Sequence, residues 1–150
     1  MASIEKELRM DFKSEHQKLL LNLLFTSNWL KHHETERLKP YDLSPQQYNI
    51  LRILRGAKGK EMCMHEVLER MLDRAPNATR LTDKLIAKGL VLRERCEKDR
   101  RVVHLLISEK GNALLAVIES ATEELVAKVA RRLSTAEAKA MNHGMDKLRP

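Results

Sequence analysis

Apolar residues at Ile4, Leu8, Phe12, Leu19, Leu23 and Leu30 fall at intervals of four or seven, the spacing of one helical face. They predict a long first helix over 3–38, stopped by Pro40. Residues 39–45, KPYDLSP, read as a connector. Ser44 then stands where an N-cap belongs, Pro45 suits the first helical position and Gln47 completes a capping box. Tyr48, Leu51 and Leu54 form the inward stripe of this second helix, which Gly56 and Gly59 close. Residues 61–64 have the length of one small strand. A short third helix over 65–72 turns Val67, Leu68 and Met71 inward.

A fourth helix is predicted over 75–88. Pro76 suits its first turn, and Ala78, Leu81, Leu85 and Ile86 make its buried face. Gly89 stands at the C-terminal cap, with Leu90 as the hydrophobic partner such caps favour. The period then changes from helical to extended. Residues 91–96 alternate, 102–107 are β-branched and leucine-rich, and the charged run Glu97 to Arg101 joins them as a hairpin tip. Ser108 caps the next helix, whose stripe runs through Leu114, Val117, Ile118, Ala121, Leu125, Val129 and Leu133. Ser134 and Glu137 form a second capping box, opening a last helix with Ala138, Met141, Met145 and Leu148 on one face.

This order predicts a mainly α fold with a small antiparallel β wing. Residues 44–107 follow the sequence of elements in a winged helix-turn-helix, with the fourth helix free to enter a major groove and the hairpin as the wing. The flanking segments 3–38 and 109–148 carry more apolar surface than so small a core can cover. A second copy is the simplest cover, since two-fold oligomers are the commonest. The chain is therefore expected to be a single domain of 150 residues, with a DNA-binding lobe over 44–107 and dimerisation helices on either side.

Charge sharpens this picture. The net charge is +7, and residues 70–101 contain ten basic residues against five acidic ones, so one fifth of the chain holds most of the excess. A basic footprint on a helix and a hairpin is what duplex binding requires. Aromatic content of 3% argues against a single-strand binder that stacks bases. No apolar run approaches the roughly 20 residues of a membrane span. Cys63 and Cys96 are distant and form no CxxC pair, which fits a reducing compartment and a cytoplasmic protein.

The candidate contacts follow from the helix face. With Ala78, Leu81 and Leu85 inward, the fourth helix and its approach leave Arg74, Asn77, Thr79, Arg80 and Lys84 outward, along with Asp83. Arg matches guanine through two bonds, Asn matches adenine, and Thr donates or accepts. A helix N-terminus also favours phosphate. The competing reading is a solvated helix face. On the wing, Lys98, Asp99, Arg100 and Arg101 are the corresponding candidates.

The segment 78–115, ATRLTDKLIAKGLVLRERCEKDRRVVHLLISEKGNALL, closely resembles the core of the MarR (multiple antibiotic resistance regulator) family. The family pattern is a recognition helix ending Leu-x-x-x-Gly-Leu-Val, then Asp-x-Arg at the wing, then Ser/Thr-x-x-Gly opening a dimer helix. Leu85, Gly89, Leu90, Val91, Asp99, Arg101, Ser108 and Gly111 occupy those places. The resemblance is strong over these forty or so residues, and the helix-rich flanks fit it. It implies a homodimeric transcriptional regulator on a pseudo-palindromic operator of double-stranded DNA. By the usual logic of the family it would be a repressor released by a small aromatic or phenolic effector seated between the DNA-binding lobes and the dimer helices. It also implies that Arg101 reaches into the minor groove while Asp99 holds an arginine extended. Asp is equally an ordinary turn residue, and the two roles can coexist.

Other candidates point elsewhere. His32 and Glu36 share a helix face and could hold a metal, but two ligands do not make a site, so no metal or cofactor is expected. A thiol-redox trigger at Cys63 or Cys96, or a metal-responsive one, is an alternative on the same scaffold. No cysteine falls between Met1 and Leu38, however, where the peroxide-sensing branch of the family carries one. His65 and His104 are isolated and read as structural. A winged-helix module for protein–protein contact would show an acidic or apolar fourth helix, not a basic one. No phosphate loop and no Ser-His-Asp spacing can be assembled, so an enzyme is not expected.

Overall fold

The computed structural model describes residues 3–73, 77–95 and 103–149, with the Arg95 side chain excepted. Its elements, in chain order, are α1 (Ile4–Leu8), α2 (Glu15–Leu38), a 3-10 turn (Lys39–Tyr41), α3 (Pro45–Gly56), β1 (Met62–Cys63) and α4 (Met64–Arg70). There follow α5 (Ala78–Ala87), β2 (Val91–Arg95), β3 (Val103–Ile107), α6 (Glu109–Ala130) and α7 (Thr135–Lys147). The mainly α fold with a small antiparallel sheet is the one expected.

The first helix is interrupted, contrary to the expectation of one helix over 3–38. Arg9 adopts a left-handed φ of 51° and ends α1. The Ser14 side chain accepts from the Gln17 N–H and restarts the helix, while Gln17 Oε1 accepts from the Lys13 N–H at 2.8 Å. Serine followed three residues later by glutamine is a start signal visible in the sequence. The apolar period running across it conceals it. The other caps stand as read. Ser44 with Gln47 and Ser134 with Glu137 are complete capping boxes, with Pro45 in the first turn of α3.

The fourth predicted helix is α5, which begins at Ala78, three residues later than expected; the placement of Pro76 lies outside the described residues. Its buried face is Ala78, Thr82 and Leu85, with Leu81 half-buried. Thr82 is buried because its hydroxyl donates to the Ala78 carbonyl at 3.0 Å, which satisfies it within the helix. At the C-terminus the Leu90 N–H donates to Leu85 O and the Gly89 N–H to Ile86 O. Gly89 has φ +69° there, and the two bonds make the paired C-terminal cap that favours glycine.

The sheet has three strands in the order β1-β3-β2, all antiparallel. Val91 pairs with Ile107 and Arg95 with Val103 along the hairpin, while Met62 and Cys63 pair with Leu105 and His104. The sequence reading supplied the small strand but not its partner, because two residues carry no register. One core cluster joins Leu38, Tyr48, Ile50, Leu51, Leu54, Val67, Leu85, Leu105, Leu115 and Ile118 with their neighbours. Its buried members all lie within 38–118; outside that span, Ile4 is the one buried hydrophobic among the described residues. The lobe is thus closed on itself, with the end of α2 and the first half of α6 built into it.

Candidate nucleic-acid interface

Burying Ala78, Thr82 and Leu85 decides what α5 presents to solvent. Asn77, Thr79, Arg80, Asp83 and Lys84 are all exposed, as the helical period requires. Asn77 occupies the N-cap position without a side-chain capping bond, so its carboxamide is not committed to its own helix. Among the described residues Arg80 and Lys84 enter no ion pair. Arg74 lies outside the described residues, as do Lys98, Asp99, Arg100, Arg101 and Cys96.

The acidic member of this face is neutralised from the wing. The Arg93 guanidinium on β2 pairs with the Asp83 carboxylate on α5. This contact neutralises the acidic residue of α5 beside Arg80 and Lys84, and it ties the base of the wing to the helix. At the far end of α5, Lys88 pairs with Asp42 at 2.7 Å, which lowers the Asp42 carboxyl below its usual range. The Lys88 carbonyl accepts from Lys110 Nζ at 2.9 Å. Sequence reading singled out none of these pairs, since their members lie on different elements.

The hairpin is locked to α6 by two small residues. Ser108 Oγ donates to the Gly89 carbonyl at 2.7 Å and accepts from the Gly111 N–H at 3.0 Å. A Cβ on Gly111 would collide with the Leu90 carbonyl oxygen and the Ile107 side chain. The spacing Ser-x-x-Gly therefore has a mechanical cause: the serine bridges the cap of α5 to α6, and the glycine lets α6 approach the chain at Leu90.

A second junction joins α2, α3 and α6. The Arg37 side chain is largely buried, donates to Thr122 Oγ1 at 2.8 Å and stacks 5.0 Å from the Tyr48 ring centroid. Arg55 on α3 pairs with Glu119 on α6, and this holds the Glu119 carboxyl below its ordinary value. Beside this junction a cleft of about 630 Å³ opens between α2 and the lobe. Lys31, Tyr48, Asn49, Arg52 and Leu72 are among its walls.

The discounted candidates have ordinary surroundings. Glu36 pairs with Lys39 at 2.6 Å, and His32 is exposed. Cys63 is half-buried, and its backbone N–H donates to Glu66 Oε2 at 2.7 Å. His104 sits on the central strand 3.5 Å from Glu61. Among the described residues no group of three or more His, Cys, Asp or Glu is placed to hold a metal ion, and no helix is long and apolar enough to cross a membrane.

Comparison with known proteins places the chain among transcriptional regulators. Residues 34–118 match the family described as transcriptional regulator SarA/Rot. That span nearly coincides with the closed core. The homoprotocatechuate degradative operon repressor of Escherichia coli is 24% identical over 128 residues, 85% of each chain. The crystal structure of a MarR transcription factor from Planctomyces limnophilus superposes with a TM-score of 0.69 at 33% identity, covering 91% of this chain and 98% of that one. A mutant MarR from E. coli complexed with operator DNA superposes with a TM-score of 0.76 at 23% identity, covering 94% and 100%.

Proposed function

This chain belongs to the MarR family of transcription factors, and from that membership we propose that it is a homodimeric repressor occupying a pseudo-palindromic operator. As a transcription regulator it is not an enzyme. The observation that carries the DNA reading is the outer face of α5, where Arg80 and Lys84 have no ion-pair partner among the described residues, beside a wing that has neutralised Asp83.

In this reading Asn77, Thr79, Arg80 and Lys84 meet base edges and phosphates in the major groove, with Arg74 approaching from the preceding turn. Lys98, Arg100 and Arg101 belong to the wing, where Arg101 probes a narrow minor groove and Asp99 braces it. Homodimerisation is supported by α2, whose Leu19, Leu20, Leu24, Phe25, Trp29 and Leu30 remain exposed. At about 100° per residue these side chains are distributed around the helix, and so much exposed apolar surface on one segment suits burial against a second copy. A small aromatic or phenolic effector suits the cleft between α2 and the lobe, where Lys31 and Arg52 offer cations. Such a ligand releases DNA only if it binds a dimer geometry that cannot span the operator better than one that can.

Selection of random duplexes on the purified full-length protein tests the reading. The expected result is an inverted repeat with half-sites about 10 base pairs apart, or a multiple of that. Recovery of unenriched sequence would remove the operator reading.

A further inference from the structure

The segment between α4 and α5 leads into the recognition helix, and among its described residues one side-chain hydrogen bond holds the backbone. Helix α4 ends at Arg70, and Met71, at ψ 136°, has left the helical region. The Leu72 N–H therefore has no partner in its own helix. It donates instead to Asn49 Oδ1 on α3 at 3.0 Å. Among the described residues no other side chain hydrogen-bonds to the backbone of residues 71–73. Met71 beside it is buried in the core, whereas the Leu72 side chain is 90% exposed, so Leu72 has no packing to hold it.

Asn49 is well placed for such a task because α3 is a rigid platform. Its N-terminus is closed by a complete capping box, and Tyr48, Ile50, Leu51 and Leu54 anchor its inner face. Four residues lie between Leu72 and Asn77, the N-cap of α5. In sequence that interval is short, so the place where Leu72 is held limits where Asn77, Thr79 and Arg80 can lie.

We infer that Asn49 is a positioning residue for base reading: its carboxamide oxygen holds the Leu72 N–H and so sets the entry of α5 into the major groove. Asn49 does not touch DNA in this scheme. It acts through the turn, and it matters more for telling an operator from other duplexes than for binding duplex at all. The inference rests on the DNA-binding reading above.

The test compares the wild type with Asn49→Ala, which removes the acceptor, and Asn49→Asp, which retains one. Two quantities are read on the full-length protein: hydrogen exchange at the Leu72 amide, and the affinity for the selected duplex relative to a scrambled duplex of equal length and composition. Asn49→Ala is expected to speed Leu72 exchange and to lower the affinity ratio about tenfold, the scale of one lost hydrogen bond. Asn49→Asp is expected to leave both near wild type. A loss of folded protein lowers both affinities together and leaves their ratio unchanged, so the ratio separates positioning from stability. An unchanged ratio in Asn49→Ala, unchanged Leu72 exchange, or an equal fall in Asn49→Asp would each overturn the assignment. A wild-type ratio of one overturns the operator reading, and this inference with it.

Discussion

Ser108 and Gly111 show how much two small residues can decide. The hydroxyl of Ser108 serves the Gly89 carbonyl and the Gly111 N–H at once, so the cap of α5 and the start of α6 share one atom. Gly111 is needed for space: its φ is not left-handed, and a Cβ would strike the Leu90 backbone. Gly111→Ala should therefore cost about 1–3 kcal/mol of stability by overpacking against backbone that cannot yield. Urea denaturation measures this, and an unchanged midpoint would contradict the close approach. The contact proposed for Arg101 is a residue-scale matter of another kind. Arg101→Ala should weaken operator binding by about 1–3 kcal/mol with dimer mass unchanged. Fluorescence anisotropy at physiological salt reads it, and full affinity in the variant would dismiss the minor-groove role.

Among the elements, α3 is the platform on which the others are set. Tyr48 meets Arg37 from α2, Arg55 meets Glu119 from α6, and Asn49 meets the turn that leads to α5. The α3–α6 tie has a pH signature. Arg55 beside Glu119 lowers its carboxyl below the ordinary 4.5. A carboxyl depressed by folding contributes stability that is complete above its ordinary value and lost as pH falls through the folded value. The stability difference between the wild type and Glu119→Gln should thus be greatest near neutral pH, begin to shrink as pH falls past about 4.5, and vanish only below the lowered folded value. Thermal melts across that range measure it; a pH-independent difference would rule out the ion pair as the cause. At the start of the chain Glu5 pairs with Lys18, which lowers its carboxyl to about 2, so by the same sign the α1–α2 contact persists well into acid.

For the whole molecule, the contrast between a closed lobe and bare outer helices governs behaviour. Core side chains saturate one another within 38–118, while Leu20 and Leu24 on α2 are 56% and 62% exposed. Leu24→Glu should leave the lobe folded, since it removes no buried contact of the protomer. In the proposed dimer it would bury a charge, so the apparent mass should halve in light scattering. Operator affinity should then fall on the order of a hundredfold as the two lobes cease to act together. A persisting dimer would place the interface elsewhere. Affinity should also decline steeply with salt, as counterions are released from each phosphate contact. A flat salt profile would mean that the basic excess of residues 70–101 plays no part in binding.

What the sequence determined by itself was local. Capping boxes at Ser44 and Ser134, the Gly89 cap and the change of period at Val91 act over four or five residues, so neighbours alone specify them. The exposed face of α5 followed in the same way, because a helix with Ala78 and Leu85 inward has little choice of what to turn outward. Local signals also misled where two competed, as when the apolar period across Ser14 masked a helix start. Tertiary structure alone decided the rest. Arg37 reaches Thr122 across 85 residues of chain, Asn49 reaches Leu72 across 23, Arg93 turns back to Asp83, and β1 finds β3. Each depends on where separate elements come to rest, and that is settled by packing of the shared core rather than by any pattern along the chain.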